Sequence, residues 1–185
     1  RYSDSFGAHA ISGIAGFEVA DHRTGYTYAS ANNFPNDKLN ALSVGQVDGV
    51  GGASYRSFMM SLLGNVNYDY DNRYYLSASF RRDGSSRLGP DSRWAIFWSV
   101  SAAWRLSREA FMENVSDLFH DLKIKASYGT NGNLPSEYYA YQGLYSASAG
   151  YGTASGIFWS NPENSHLGWE KSRNFNVGSD WNLYN

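Results

Sequence analysis

A strict two-residue alternation constrains this chain more than any other feature. Between Arg56 and Tyr70 the even positions read Phe58, Met60, Leu62, Gly64, Val66 and Tyr68, and the odd ones Ser57, Met59, Ser61, Leu63, Asn65, Asn67 and Asp69. Successive side chains of a strand point to opposite faces, so the pattern predicts a strand with one apolar and one more polar face. A tight turn at Asp71-Asn72-Arg73 leads into a second strand, with Tyr74, Leu76, Ala78 and Phe80 set against Ser77, Ser79, Arg81 and Asp83. Two such runs joined by so short a connection predict an antiparallel hairpin. The same period continues in Trp94, Ile96, Trp98, Val100, Ala102, Trp104 and Leu106, and in Leu122, Ile124, Ala126 and Tyr128. Flanking strands are expected over Phe6 to Val19 and Trp169 to Leu183, six in all.

The connections alternate in character. Long or loop-like segments (Ala20 to Ser54, Gly84 to Ser92, Asn131 to Gly168) fall between every second pair of strands, so an up-and-down sheet collects them on one rim. The opposite rim receives the Asp71 turn and the link Ser107 to Asp121. In that link Phe111, Val115, Leu118 and Phe119 follow Ser107 at helical spacing, which predicts a short capped helix.

Composition decides what surrounds the sheet. Only 17% of residues are charged, against about 25% in an ordinary soluble domain, while six Trp, fifteen Tyr and ten Phe supply another 17%. Strands of ten or more residues at ~3.3 Å each, tilted by ~45°, cover the ~25 Å apolar band of an outer-membrane barrel. Apolar residues would then face lipid, Ser, Asn, Gly and Lys a wet lumen, and Tyr and Trp the two interfaces. The alternative is a soluble, carbohydrate-binding β-sandwich, but its core would want Val, Ile and Leu where this chain places Ser and Asn. The fold expected is therefore all-β, an antiparallel up-and-down transmembrane barrel segment with long extracellular loops, occupying residues 1–185 as one partial barrel domain. Six strands cannot close, because bacterial barrels start at about eight, so the segment is expected to be an internal piece of a larger barrel. No apolar run approaches the ~18 residues that a membrane helix needs, and the opening residues Arg1 to Ser5 lack the apolar stretch of a signal peptide.

Several long motifs carry a family resemblance. The run from Tyr68 to Gly89 (YDYDNRYYLSASFRRDGSSRLG) closely resembles a signature of the SusC/RagA family of TonB-linked outer-membrane transporters. The runs Arg93 to Ser107 (RWAIFWSVSAAWRLS), Leu122 to Asn133 (LKIKASYGTNGN) and Asn161-Pro162-Glu163 followed by Leu167 to Ser172 (LGWEKS) resemble the same family in the same order. Gly13 to Glu18 and Asn33-Phe34-Pro35 look like its preceding strand and loop. The resemblance implies a barrel of about twenty-two strands around an N-terminal plug, in the outer membrane of a Gram-negative bacterium, energised through the TonB complex. It further implies import of an oligosaccharide or peptide, with a SusD-like surface lipoprotein as partner. On that comparison the plug, the TonB box and the terminal strand of the barrel fall outside this segment.

Chemistry of other kinds finds little footing. A net charge of -2 provides no basic field for nucleic acid, and the absence of cysteine removes disulfides and thiolate sites. The four histidines His9, His22, His120 and His166 show no metal-ligand spacing, and no HExxH, GxSxG or phosphate-loop pattern occurs. No enzyme activity, metal or cofactor is expected. Asp69, Asp71 and Asn72 resemble the start of a calcium loop but lack its Gly and distal Glu, so a turn is the better reading. Asn114-Val115-Ser116 fits a glycosylation sequon too short to weigh against a bacterial origin. The loop Asn131 to Gly168 is richer, with Tyr138, Tyr139, Tyr141, Tyr145, Tyr151, Phe158 and Trp159 among small residues. Such rings either stack on sugar faces or a protein lid, or pack the loop against its neighbours. Arg81, Arg82, Arg87 and Arg93 surround Asp83 and Asp91, and either select an anionic ligand or form a salt network bracing the loops. Arg81 and Asp83 share the face expected to line the lumen. The candidate substrate or partner contacts are therefore Tyr138, Tyr139, Tyr141, Tyr145, Trp159, Arg81 and Asp83.

Overall fold

The computed structural model describes residues 1–39, 41–115, 119–151 and 154–183. Within them the strands in chain order are β1 (Tyr2–Phe6), β2 (His9–Asn32), β3 (Gln46–Tyr70), β4 (Tyr74–Ser85), β5 (Trp94–Arg105), β6 (Phe119–Asn133), β7 (Leu144–Tyr151), β8 (Ala154–Asn161) and β9 (Glu170–Leu183). Seven form one antiparallel meander in the order β1-β2-β3-β4-β5-β6-β9, and β7 pairs with β8 in a separate hairpin. The sheet is open, and every connection along it joins nearest neighbours.

Register lines up the rows that the alternation anticipates. Val66, Ala78, Val100, Tyr128 and Phe175 are mutual cross-strand partners, and so are Tyr68, Leu76, Ala102, Ala126 and Val177. One residue along, the row Asn67, Ser77, Ser101, Ser127, Asn176 lies on the other face. A slip of one residue would exchange the two faces wholesale, which is why the pattern fixes register so firmly. The apolar face is bare: Phe58, Leu62, Leu76, Phe80, Ile96, Val100 and Ile124 are each between 38% and 53% exposed. Among the described residues the buried apolar side chains are Leu88, Ala95 and Phe97 alone. A sandwich would have buried the first set in a core, so the sandwich alternative is set aside.

Aromatic rings mark both ends of the apolar band. At one end Tyr70, Tyr74 and Trp104 stack in series with centroids 6.2 Å apart at each step. At the other, Trp94 lies beside the Arg82 guanidinium, 5.1 Å from its ring centre. Tyr74 and Gly84, the partner of Trp94, are ten positions apart on β4. That is ~33 Å along the strand, or ~25 Å once tilted, the height of an outer-membrane apolar band.

Three expectations need correction. The stretch Ala20 to Ser54, read as a long loop, is mostly strand: β2 and β3 pair from His9 opposite Tyr70 to Asn32 opposite Gln46, with one register shift at Ser30/Ala31. Beyond the apolar band both faces meet water, so alternation no longer marks a strand even where the ladder continues. The count of six strands also misses the β7–β8 hairpin inside the expected loop Asn131 to Gly168, and β1, which folds back on β2 through Gly7, whose φ of 60° suits glycine. The expected helix after Ser107 is instead a pair of 3-10 turns, Leu106–Arg108 and Ala110–Val115. Ser107 does not cap: its hydroxyl donates to Asp121 at 2.8 Å. Phe119 opens β6 opposite Leu183, and Leu118 lies outside the described residues, as does Ser116 of the sequon. The turn at Asp71-Asn72 is confirmed in detail. Both residues have positive φ, and Arg73 N–H donates to the Tyr70 carbonyl at 3.0 Å, the geometry of a type I′ hairpin turn. Asp69 accepts from the Asn72 N–H at 2.8 Å and Asp71 pairs with Arg73 at 2.9 Å, so these carboxylates serve the turn.

The 3-10 segment tightens around Glu109. Its carboxylate accepts from Tyr74 Oη at 2.7 Å and Trp104 Nε1 at 2.9 Å, with Arg73 3.7 Å away. The Trp104 and Tyr74 hydrogen bonds hold this carboxyl below its ordinary value of 4.5. A depressed carboxyl contributes stability that is complete above its unfolded value and is lost as pH falls through the lower folded value. Thermal unfolding of the folded protein, followed from pH 7 to below about pH 4, is expected to show a falling midpoint in the wild type. Glu109→Gln should start from a lower midpoint and lose less over the same range; equal pH slopes would refute the role of this carboxylate.

Candidate functional site

On the rim opposite the Asp71 turn lie the connection 86–93 and the described residues 134–151 and 154–169, with 33–39 and 41–45 at the far tip of β2 and β3. The connection at 86–93 is its keystone. Leu88 is fully buried, the Gly89 N–H donates to the Leu167 carbonyl at 2.9 Å, and the Asp91 N–H donates to that of Ser165 at 3.3 Å. A Cβ on Gly89 would come within 2.0 Å of the Ser165 carbonyl oxygen, so only glycine allows the two connections to touch. Trp169 completes the joint, donating from Nε1 to the Arg93 carbonyl at 3.0 Å and meeting Phe97 edge-on at 5.3 Å. Sequence reasoning passed over Leu88 and Phe97 because apolar residues in a loop and on the lumen face carry no periodic signal of burial.

The four arginines do not form one salt network. Among the described residues Arg81 alone of the four pairs with a carboxylate: its Nε is 2.7 Å from Asp83, and its Nη2 is 3.0 Å from both Glu18 and the Ser61 hydroxyl. Asp83 and Ser61 are buried, which makes this a partly desolvated cluster on the lumen face. Arg82 points to the apolar face beside Trp94. Arg87 donates to the Pro135 and Ser136 carbonyls and lies over the Tyr138 ring at 4.6 Å. Arg93 donates to the Leu88 carbonyl at 3.3 Å and lies 5.8 Å from the Tyr141 ring centre. Asp91 is 3.6 Å from the His166 ring. The arginines thus brace the rim chiefly through carbonyls and rings. Glu18 and Ser61 had no distinguishing mark in the sequence, since a lone acid and a lone Ser on a polar face look like solvated positions.

The loop rings separate into two groups. Tyr138 stacks on Tyr55 at 5.1 Å, Tyr139 approaches Tyr55 at 6.4 Å, and Tyr55 stacks on Tyr26 at 6.5 Å. Tyr139 Oη accepts from the Arg56 N–H at 3.3 Å. Tyr26 and Tyr55 are on the lumen-side phase of β2 and β3, so this group ties the 134–143 segment to the projecting ends of those strands. Tyr141 is half-buried nearby, accepting from Gln142 Nε2 at 3.0 Å. In the β7–β8 hairpin, by contrast, Tyr145 and Trp159 stack at 6.0 Å with planes only 12° apart and remain 68% and 62% exposed. Phe158 follows on the same hairpin, 48% exposed. Among the described residues, no group of three or more His, Asp or Glu is arranged to hold a metal ion.

The β-barrel model of the TonB-dependent receptor-like family matches residues 2–185. The chain belongs to the TonB-dependent receptor β-barrel family. It is 31% identical over its whole length to TonB-dependent receptor P39 of Formosa agariphila, covering 18% of that protein. Over 70% of its length it is 33% identical to TonB-dependent receptor SusC of Bacteroides thetaiotaomicron, covering 14% of it. Among solved structures it superposes on the RagAB peptide transporter with a TM-score of 0.82 at 30% identity, over 98% of this chain and 20% of the other. The resemblance to the SusC/RagA transporters and the all-β, up-and-down barrel expectation therefore stand, and the chain spans about a fifth of the length of the relatives it matches. No helix among the described residues is long and apolar enough to cross a membrane, which leaves crossing by strands untouched.

The Gly89 contact generates a direct test. Gly89→Ala forces the 86–93 and 164–168 backbones apart, an overpacking cost of about 1–3 kcal/mol. A lower thermal midpoint with unchanged strand content is expected in circular dichroism, whereas an unchanged midpoint would show that the two connections are not held in contact.

Proposed function

We propose that the chain is a wall-and-mouth segment of an outer-membrane importer driven through the TonB complex, with an oligosaccharide or a peptide as cargo. One observation carries the reading: a seven-stranded meander whose apolar face is bare between two aromatic belts while its reverse face is polar. That arrangement suits lipid on one side and a wet lumen on the other, and suits no aqueous monomer. A SusD-like surface lipoprotein is the proposed partner at the mouth, by kinship with SusC and RagAB. The reading contains no catalytic step and no cofactor.

Within the mouth the candidate residues divide by what they already touch. The rings of Tyr138, Tyr139 and Tyr141 face Tyr55, Arg87 and Arg93 on the rim, and Arg81 and Asp83 pair with each other. Tyr145 and Trp159 keep a broad, nearly coplanar surface open to solvent. We assign to this pair the first contact with cargo or lid, and to the Arg81–Asp83–Glu18 cluster a polar stretch of lumen wall that cargo passes.

The membrane reading is tested on the full-length protein by cell fractionation, with spin labels placed in turn at residues 76 and 77. Outer-membrane location, with the label at Leu76 reporting lipid and that at Ser77 reporting water, is the expected result; a soluble protein with residue 76 packed in a protein interior would sink the proposal. For the mouth, Tyr145→Ala with Trp159→Ala should weaken binding of the transported oligosaccharide or peptide several-fold, the scale of losing ~0.5–1.5 kcal/mol per ring contact. Tyr138→Ala should instead lower thermal stability. Identical binding by the double variant and the wild type would remove Tyr145 and Trp159 from the site.

A further inference from the structure

The outward face does not end at the apolar band. Just beyond it, on the same phase of β2 and β3 as Phe17, Val19, Phe58 and Leu62, stand Asp21, Arg23 and Arg56, with Arg23 directly opposite Arg56 and Asp21 opposite Phe58. Arg56 grips Asp21 with two hydrogen bonds of 2.9 and 3.0 Å, and Arg23 reaches the same carboxylate at 3.0 Å. One acid thus holds two guanidiniums, and both remain largely exposed, at 69% for Arg23 and 61% for Arg56. Arg82 lies on the same face of the neighbouring strand β4, in the row of Leu62, six residues along β3 from Arg56. It is rooted opposite Leu62 and Ile96, yet its guanidinium extends to Trp94, 5.1 Å from the ring centre, at the upper edge of the band. A long cationic side chain rooted in an apolar face and reaching to its border is the geometry of a group seeking the polar interface.

Three guanidiniums against one carboxylate leave two positive charges on a face that continues directly into the lipid-facing band. Arginine's planar fork suits the oxygens of a phosphate monoester or diester, and the Asp21 carboxylate occupies only part of the two forks it holds. We propose that Arg23, Arg56 and Arg82 form an outward-facing site for the phosphorylated headgroup of an outer-leaflet lipid, with Phe58 and Trp94 beneath it against the first acyl carbons. The occupant is a lipid and not a free anion, because the cations lie on the lipid side of the wall and adjoin its apolar surface. This assignment rests on the outer-membrane reading above and adds a lipid partner at defined residues.

The test uses the full-length protein, purified in a neutral detergent and incubated with bisphosphorylated lipid A or its dephosphorylated form, with bound lipid counted by mass spectrometry after detergent washing. Heat-modifiable gel mobility on the same samples reports whether the barrel is folded, and fractionation of the cells reports where the protein resides. The wild type should retain the phosphorylated lipid. Arg23→Gln combined with Arg56→Gln and Arg82→Gln should reduce retention tenfold or more, since each cation near an anionic lipid is worth roughly a fivefold factor. Asp21→Asn, which releases both guanidiniums, should increase retention, a direction that loss of folding cannot mimic. Equal retention by the wild type and a folded triple variant would overturn the site while leaving the importer reading intact. Equal retention of the dephosphorylated lipid, or full displacement by inorganic phosphate at the lipid's own concentration, would likewise overturn the lipid assignment. A protein that never reaches the outer membrane would overturn both readings.

Discussion

The rest of the structure depends on the antiparallel ladder and on its bearing the backbone polar groups where water is absent. In hydrocarbon an unpaired N–H or carbonyl costs several kcal/mol, so a sheet at that depth must pair each strand on both sides. Within the meander β4 is paired along its length with β3 on one side and, from Tyr74 to Gly84, with β5 on the other, while β2 meets β1 only over His9 to Gly13. The meander's two borders are strands whose outer edges still need partners. This requirement also explains why turns and bulges are confined to the rims: the shift at Ser30/Ala31 lies far above the apolar band, and that at Phe119/Asp121 beside the 3-10 connection.

How much of this was legible in the sequence follows from what each residue faces. Where one face meets lipid and the other water, the two environments select different side chains and the alternation is plain, as in Tyr74 to Asp83 and Trp94 to Arg105. Above the band, where Tyr26 and Tyr55 have water around both faces of their strands, composition stops reporting the ladder and the residues of β2 from Ala20 to Asn32 pass for a loop. The β7–β8 hairpin is hidden for a related reason, since its Gly, Ala and Ser positions carry no face preference. Side-chain partnerships were less legible still. That Arg81 would turn to Asp83, Arg82 to Trp94 and Arg87 to loop carbonyls depends on register and loop closure, which no local spacing encodes.

The same environment accounts for a composition that would be hard to explain in water. A soluble fold hides its apolar side chains and covers itself with charge, and this chain does neither: its large apolar residues are displayed, and the few buried ones sit in a loop joint and behind it. Hydrophobic stabilisation here does not come from a core. It comes from transferring one face of the sheet, from Phe17 and Val19 across to Phe175 and Val177, into a medium that the protein does not itself supply.

That difference alters what a substitution does. In a soluble domain, trimming Leu76 or Val100 would open a cavity and cost cavity energy on top of transfer energy. On this face the gap is refilled by acyl chains, so trimming should cost close to the transfer term alone, and a charge there should cost far more than a smaller apolar side chain. On the reverse face the order inverts. Row positions such as Ser77, Ser101 and Ser127 already meet water and tolerate polarity, while the close fit of Gly89 against Ser165 tolerates no added volume. Sensitivity to size therefore concentrates where loops meet at the mouth, and sensitivity to charge where strands meet lipid. The connections at the mouth are held by the first kind of constraint, and the wall that carries them by the second.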